Sequence, residues 1–360
     1  VRGAPLLGLG VVALIGALAG GVVRLGWQLP LPRAAPALFH GPLMVSGFLG
    51  TLIGLERATA LGIPWMYGAP VCTGAGALVL LAGGPPAVGQ ALMLAGSAFT
   101  LGIIISLLRR VPELFLATIG LGAAVWVAGN ALWLLGWPIY RVVPWWAGFL
   151  VLVIAGERLE LTRLFPPSAA RRAGFVGALV GLVGGIVSSA FALDAGVRLA
   201  GVGTTAIACW LARYDMARRT VRQGGLSRFM AVCLLTGYAW LAVAGTLGAT
   251  FGAEVAGPRY DAVLHALFLG FVASMLFAHA PVVFPGVLGR PLAYHPRFYI
   301  HVLALHASLG ARVAGDLLGV PWLRQWGGLA NAAVLLLFLA NTVASLGGPG
   351  THARKRARAA

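Results

Sequence analysis

Residues 260–284 read YDAVLHALFLGFVASMLFAHAPVVF, a run of 25 residues whose ionisable side chains besides Tyr260 are Asp261, His265 and His279. As a helix rising 1.5 Å per residue, this run reaches about 37 Å, enough to cross a hydrocarbon core ~30 Å thick. Its centre, GFVASMLFAHA (270–280), aligns without gaps on GFLGTLIGLER (47–57) and GFLVLVIAGER (148–158). In each copy an ionisable side chain stands nine residues after the glycine of the Gly-Phe pair: Glu56, Glu157 and His279. Three apolar, membrane-length segments with polar groups in one register predict a repeated helical bundle in a membrane.

The rest of the chain supports this. Its 360 residues are 59% hydrophobic and 10% charged, with a mean hydropathy of +0.91. Soluble domains sit near 45–50% and 25%. Apolar runs punctuated by Arg, Pro and Gly give twelve candidate spans: 5–27, 37–56, 64–83, 86–108, 112–136, 143–163, 172–193, 196–214, 229–251, 260–284, 297–318 and 322–345. The segments 47–57, 148–158 and 270–280 fall in the second, sixth and tenth, so the spacing predicts an all-α membrane fold of three four-helix units. Residues 1–345 form one transmembrane domain, and 346–360 a basic tail with Arg354, Lys355, Arg356 and Arg358. The first apolar run is long enough to span and is followed at once by another, which argues against a cleaved leader.

The net charge of +17 raises the possibility of nucleic-acid binding. That is rejected, because the arginines lie between apolar runs and form no stripe with interleaved aromatics. Their distribution sets orientation instead. With the N-terminus inside, 19 of the 26 Lys and Arg fall on one side, which predicts cytoplasmic termini and an even span count. Cys72, Cys209 and Cys233 stand singly in apolar runs, with no paired spacing for zinc or a disulfide framework. Asn130, Asn331 and Asn341 read as hydrogen bonders between helices. Trp126, Trp133, Trp137, Trp145 and Trp146 bracket one outer loop and read as an aromatic belt. Pro281 and Pro285 are expected to break helix ten beyond His279.

Seven histidines are present, none between residues 41 and 264. His295 lies in a loop and His352 in the tail. His40 opens the second span and His265 the tenth, and both spans enter from the outer side. Two imidazoles at matched depth suit a six-coordinate haem iron in a helical bundle; the plain alternative is a pair of interfacial histidines satisfied by backbone or water. A second layer lies further in. His279 follows His265 by 14 residues, about 21 Å and nearly the same face on an uninterrupted α-helix. Glu56 and Glu157 share its level, and His301 with His306 return on the eleventh span. Such carboxylates and imidazoles suit iron, zinc, manganese or copper, or a proton relay. Local pairing of Glu56 with Arg57, or of Glu157 with Arg158 and Arg163, is the plain alternative.

Two signatures carry a resemblance. Residues 265–292, HALFLGFVASMLFAHAPVVFPGVLGRPL, resemble a signature of the NnrS family that begins His-Ala-Leu, places a glycine five residues on and closes with Gly-Arg-Pro-Leu. His40, Met44 and Gly47-Phe48 are similar to that family's His-x3-Met-x2-Gly-Phe. The resemblance implies a haem- and copper-containing bacterial inner-membrane protein linked to denitrification and nitric oxide resistance. It also implies distant kinship with the catalytic subunit of haem–copper oxidases, in which His40 and His265 match the low-spin haem ligands. Three positions depart from these patterns: Val263 stands where the oxidase has its high-spin haem ligand, Pro42 where the family often has a second histidine, and His279 where it has methionine. The sixth and seventh spans hold no histidine for copper, so oxygen reduction at a binuclear centre is not expected.

The sequence therefore predicts a haem-binding membrane redox protein, an oxidoreductase acting on or responding to nitric oxide or a related nitrogen oxide. Haem b is expected on His40 and His265. A second metal, copper or iron, is expected on Glu56, Glu157, His279, His301 and His306. The bilayer, a quinol or periplasmic electron carrier, and a small gaseous or metal ligand are the expected partners, with no nucleic acid. The alternative is a haem-free cation transporter or channel using the Glu/His layer, and a third reading is an assembly subunit with vestigial sites.

Overall fold

Without water to satisfy backbone N–H and C=O groups, an apolar chain in a bilayer closes its hydrogen bonds within each segment, and helices follow. A computed structural model describes residues 3–30, 34–161 and 168–347; the basic tail beyond them lies outside the described residues, as does Arg163. Among the described residues the regular structure is helical throughout, apart from one isolated bridge between Leu292 and Leu346.

Among the described residues, ten helices are long and apolar enough to cross a membrane: Gly3–Arg24, Pro64–Leu81, Pro86–Leu108, Leu114–Leu134, Ile139–Leu161, Ala169–Ser189, Leu193–Tyr214, Gly225–Phe251, Pro258–Leu288 and Pro321–Val343. Each coincides with one of the predicted spans. The other two predicted spans are helical as well but fall outside that set. Residues 40–61 form a continuous run in three pieces: α-helix His40–Pro42, π-helix Leu43–Leu49 and α-helix Gly50–Leu61. Helix Phe298–Leu318 carries Arg312 and Asp316 near its end. Large apolar side chains are exposed along the helices, with Val180 67% and Val202 57% accessible, as expected of surfaces that face lipid.

The chain divides into two units. The first comprises Val1–Gly156 with Gly286–Leu288; the second comprises Glu157–Pro285 with the chain from Gly289 on. The first unit is centred on Trp126, whose ring stacks on Phe149 at 4.3 Å and 6°. Gly50 makes room for it, since a Cβ there would meet the Trp126 ring at 2.5 Å. Trp126 Nε1–H donates to Ser46 Oγ (3.0 Å), Ser46 donates to Asn130 Oδ1 (3.2 Å), Trp146 Nε1–H donates to the same oxygen (2.9 Å), and Asn130 Nδ2–H donates to the Met93 carbonyl (3.2 Å). Asn130 thus ties neighbouring helices as predicted. The tryptophans differ from prediction: Trp126, Trp133 and Trp146 are buried core residues and not part of a belt. For Trp126 and Trp146 the polar partners explain this, because an indole enters an apolar interior readily once its N–H is satisfied.

In the second unit, Ala169–Ser189, Leu193–Tyr214 and Gly225–Phe251 pack backbone to backbone. A Cβ on Gly185 would run into Ala200, one on Gly203 into Leu182, and one on Gly201 into Ala249. Close approach at small residues is the main source of helix association in lipid, where apolar burial gives no drive. Arg198 caps the end of Gly225–Phe251 by donating to the carbonyls of Ala249 (3.0 Å) and Thr250 (2.7 Å), while its Nε–H donates to Asp194 (2.8 Å). Helix Ser274–Leu288 continues through Pro281 and Pro285 and ends at Gly289 (φ +63°), so the predicted break beyond His279 does not occur.

Candidate functional site

Each proposed haem histidine stands at the head of a π-helical segment. His40 precedes Leu43–Leu49, and His265 closes the α-helix Pro258–His265 and leads directly into π-helix Ala266–Ala273. Both π segments begin four residues before the glycine of the Gly-Phe pair, Gly47 in one and Gly270 in the other. The third copy, at 148–158, lies in the continuous α-helix Ile139–Leu161. π-Helical turns cost regular hydrogen-bond geometry and concentrate at functional sites. Both glycines sit at close helix contacts. A Cβ on Gly47 would meet Ala77 at 3.0 Å, and one on Gly270 would run into the Trp240 ring.

The π segment also changes the expected relation of His265 to His279. Each residue inserted into an α-helix turns everything beyond it by about 100°. The facing predicted from an uninterrupted helix therefore does not carry through Ala266–Ala273.

Hydrogen bonding divides five of the histidines into two kinds. His40 Nδ1 lies 2.6 Å from the Ala17 carbonyl, His265 Nδ1 2.9 Å from the Asp261 carbonyl, and His279 Nδ1 2.7 Å from the Met275 carbonyl. A carbonyl only accepts, so Nδ1 carries the proton in all three, and in the neutral ring Nε2 bears the lone pair. This is the tautomer of a histidine that binds metal through Nε2, with the other nitrogen held by a backbone oxygen. His301 and His306 are the reverse. Asn341 Nδ2 lies 3.3 Å from His301 Nδ1, and Trp240 Nε1–H donates to His306 Nδ1 at 3.1 Å. Both partners are nitrogen donors, so Nδ1 accepts and Nε2 carries the hydrogen. His301 is 1% exposed, its ring set against Phe277 (centroids 4.7 Å, 80°), Phe338 and Phe298. Neither Nε2 has a hydrogen-bond partner.

Of the predicted metal layer, Glu157, together with Arg158 and Asp215, stands within electrostatic reach of His279. His301 and His306 are engaged through Nδ1 by Asn341 and Trp240. Among the described residues no three His, Cys, Asp or Glu side chains are grouped so as to hold a metal ion.

Two buried ionic groups in the second unit were not singled out from the sequence. Arg158 grips Asp215 with two contacts, 2.8 and 2.9 Å; Tyr238 Oη–H (3.0 Å) and the Ala217 N–H also donate to that carboxylate. Arg158 thus has a partner 57 residues distant, in addition to the local pairing with Glu157 considered above. The second group surrounds His265. Asp261 receives Arg312 Nε (2.8 Å) and Nη2 (2.9 Å), Arg324 Nη2 lies 3.7 Å from Asp261, and Arg324 Nε lies 2.9 Å from Asp316. A usable signal existed: Asp261 precedes His265 by one helical turn, and Arg312 and Asp316 are four apart in an apolar run, where charged groups persist only with partners.

Comparison with known proteins gives one match. The model of a protein family described as "Domain of unknown function (DUF8744)" matches residues 3–346. No curated protein and no solved structure matches.

Proposed function

The chain belongs to the DUF8744 family, and for it we propose a haem-binding membrane redox protein, with His40 and His265 as the haem ligands and a nitrogen oxide such as nitric oxide as the substrate or sensed molecule. The observation that carries this reading is the pairing of chemistry with local structure. Both histidines present Nε2 as the lone-pair nitrogen, and both head π segments in the same register of a repeated sequence. The donor set suits the group: two neutral imidazoles, each held at Nδ1 by a backbone oxygen. The nitrogen-oxide part of the reading rests on the resemblance to the NnrS family.

When bound, haem would supply one-electron chemistry at iron. The protein's own residues orient the two imidazoles and hold their protons at Nδ1. His40 and His265 would hold the haem, and electron transfer, with a quinol or a periplasmic carrier as donor, is the chemistry it would supply there. A second metal is not part of the proposal, since its predicted donors are not grouped and two of them hold a hydrogen on Nε2. The twelve-span topology with cytoplasmic termini in a bacterial inner membrane belongs to the same reading. The helical runs at 40–61 and Phe298–Leu318, additional to the ten, support the span count in that reading.

The test is the optical spectrum of the purified full-length protein. A Soret band present in the wild type, and lost or reduced to a high-spin form in both His40→Ala and His265→Ala, supports the assignment. A wild-type preparation without a Soret band, or variants with the wild-type spectrum, overturns it.

A further inference from the structure

We infer that Asp261 is a positioning residue for His265, and that Arg312 sets how strongly the Asp261 carboxylate acts on that imidazole. This rests on the haem reading above. Asp261 turns two oxygens toward one nitrogen: its carbonyl lies 2.9 Å from His265 Nδ1 and its carboxylate Oδ1 3.4 Å from the same atom. The carbonyl fixes the tautomer, and the carboxylate adds a negative charge beside the Nδ1–H. His40 differs in kind, because its Nδ1–H faces the Ala17 carbonyl, a neutral group, at 2.6 Å.

The Asp261 carboxylate is itself restrained. Arg312 meets it in a two-pronged contact of 2.8 and 2.9 Å, with side chains only 8% and 14% exposed. Arg324 stands 3.7 Å from it and also faces Asp316 at 2.9 Å. A carboxylate at the remote nitrogen of a ligating imidazole raises the basicity of the other nitrogen, and a guanidinium that shares the carboxylate's charge opposes this. The carboxylate field at His265 is therefore adjustable through Arg312.

A more basic ligand stabilises oxidised iron, which fixes the signs. Asp261→Asn should raise the haem midpoint potential with haem content unchanged. Arg312→Lys, which keeps the charge but gives up the second prong, should lower it, and Asp261→Glu should return toward the wild-type value. A second readout does not use haem: in the haem-free protein, Asp261→Asn should move the His265 Nδ1 15N resonance toward that of His40. An Asp261→Asn protein that retains haem with potential and resonance unchanged overturns the inference and leaves the haem reading standing. If Asp261→Asn does not fold, Arg312→Lys decides by the same two measurements, and no change there overturns the inference. A wild-type protein that binds no haem overturns both.

Discussion

Trp240 Nε1–H donates to His306 Nδ1 at 3.1 Å, which leaves the hydrogen of His306 on Nε2. One contact between neighbouring helices thus sets the tautomer of a residue whose type and placement had made it a candidate metal ligand. The tautomer of His301 is set in the same way by Asn341.

His306→Ala and His301→Ala should therefore leave haem stoichiometry unchanged, whereas His40→Ala and His265→Ala should lower it severely. Pyridine haemochrome analysis against protein concentration separates the two groups. Loss of haem from the His306 variant alone would show that the hydrogen-bond assignment is wrong.

Asp215 accepts from Arg158, Tyr238 and the Ala217 amide inside the second unit, with the Arg158 and Asp215 side chains 5% and 1% exposed. Asp215→Ala should cost about 3–5 kcal/mol, because the guanidinium is left buried without its partner. Replacing both residues by apolar ones should cost less than Asp215→Ala. Tyr238→Phe removes one hydrogen bond to a charged group, worth about 1.5–3 kcal/mol. Thermal unfolding in detergent ranks the three, and equal losses for the single and double replacements would contradict the account.

Asn130 holds the first π segment through Ser46 and also satisfies Trp146. Asn130→Leu should destabilise the first unit by roughly 1–3 kcal/mol, the cost of leaving buried donors unpaired. Amide exchange of residues 43–49 should rise more than that of 50–61, and uniform protection across 43–61 would count against the link.

Gly185 and Gly203 lie where a Cβ would run into a neighbouring backbone. Leucine at either position should prevent helices Ala169–Ser189 and Leu193–Tyr214 from closing. The expected outcome is loss of monodisperse protein on size exclusion. Leucine at Gly177 or Gly184, which face open space, should be tolerated.

Pro281 lies inside helix Ser274–Leu288, and that helix does not break there. Pro281→Ala should accordingly leave haem content intact and raise stability or leave it unchanged. A collapse of haem binding in this variant would restore the broken-helix expectation.

The ten long helices were legible because hydropathy over about 20 residues is a local quantity, set by composition and the thickness of the bilayer. The helical character of 37–56 and 297–318 was legible for the same reason. The register of 47–57, 148–158 and 270–280 was also legible, and the structure adds that two of the three copies carry a π segment while the third does not. The sequence pattern of Gly-Phe and a distal ionisable group holds no sign of that difference.

The sequence by itself determined that this chain lies in a membrane as helices, and where His40, His265 and His279 fall along them. Only the tertiary structure decided what each imidazole can do. A ring's proton goes to the nitrogen that faces an acceptor and leaves the one that faces a donor; for His301 and His306 the deciding donors, Asn341 and Trp240, are 40 and 66 residues away. Tertiary structure likewise paired Arg158 with Asp215, placed Trp126 and Trp146 in the core, and set Asp261 and Arg312 beside His265. In an apolar medium each buried polar group is driven to find a partner, but which partner it finds depends on helix packing, a property of the whole fold and not of any one segment.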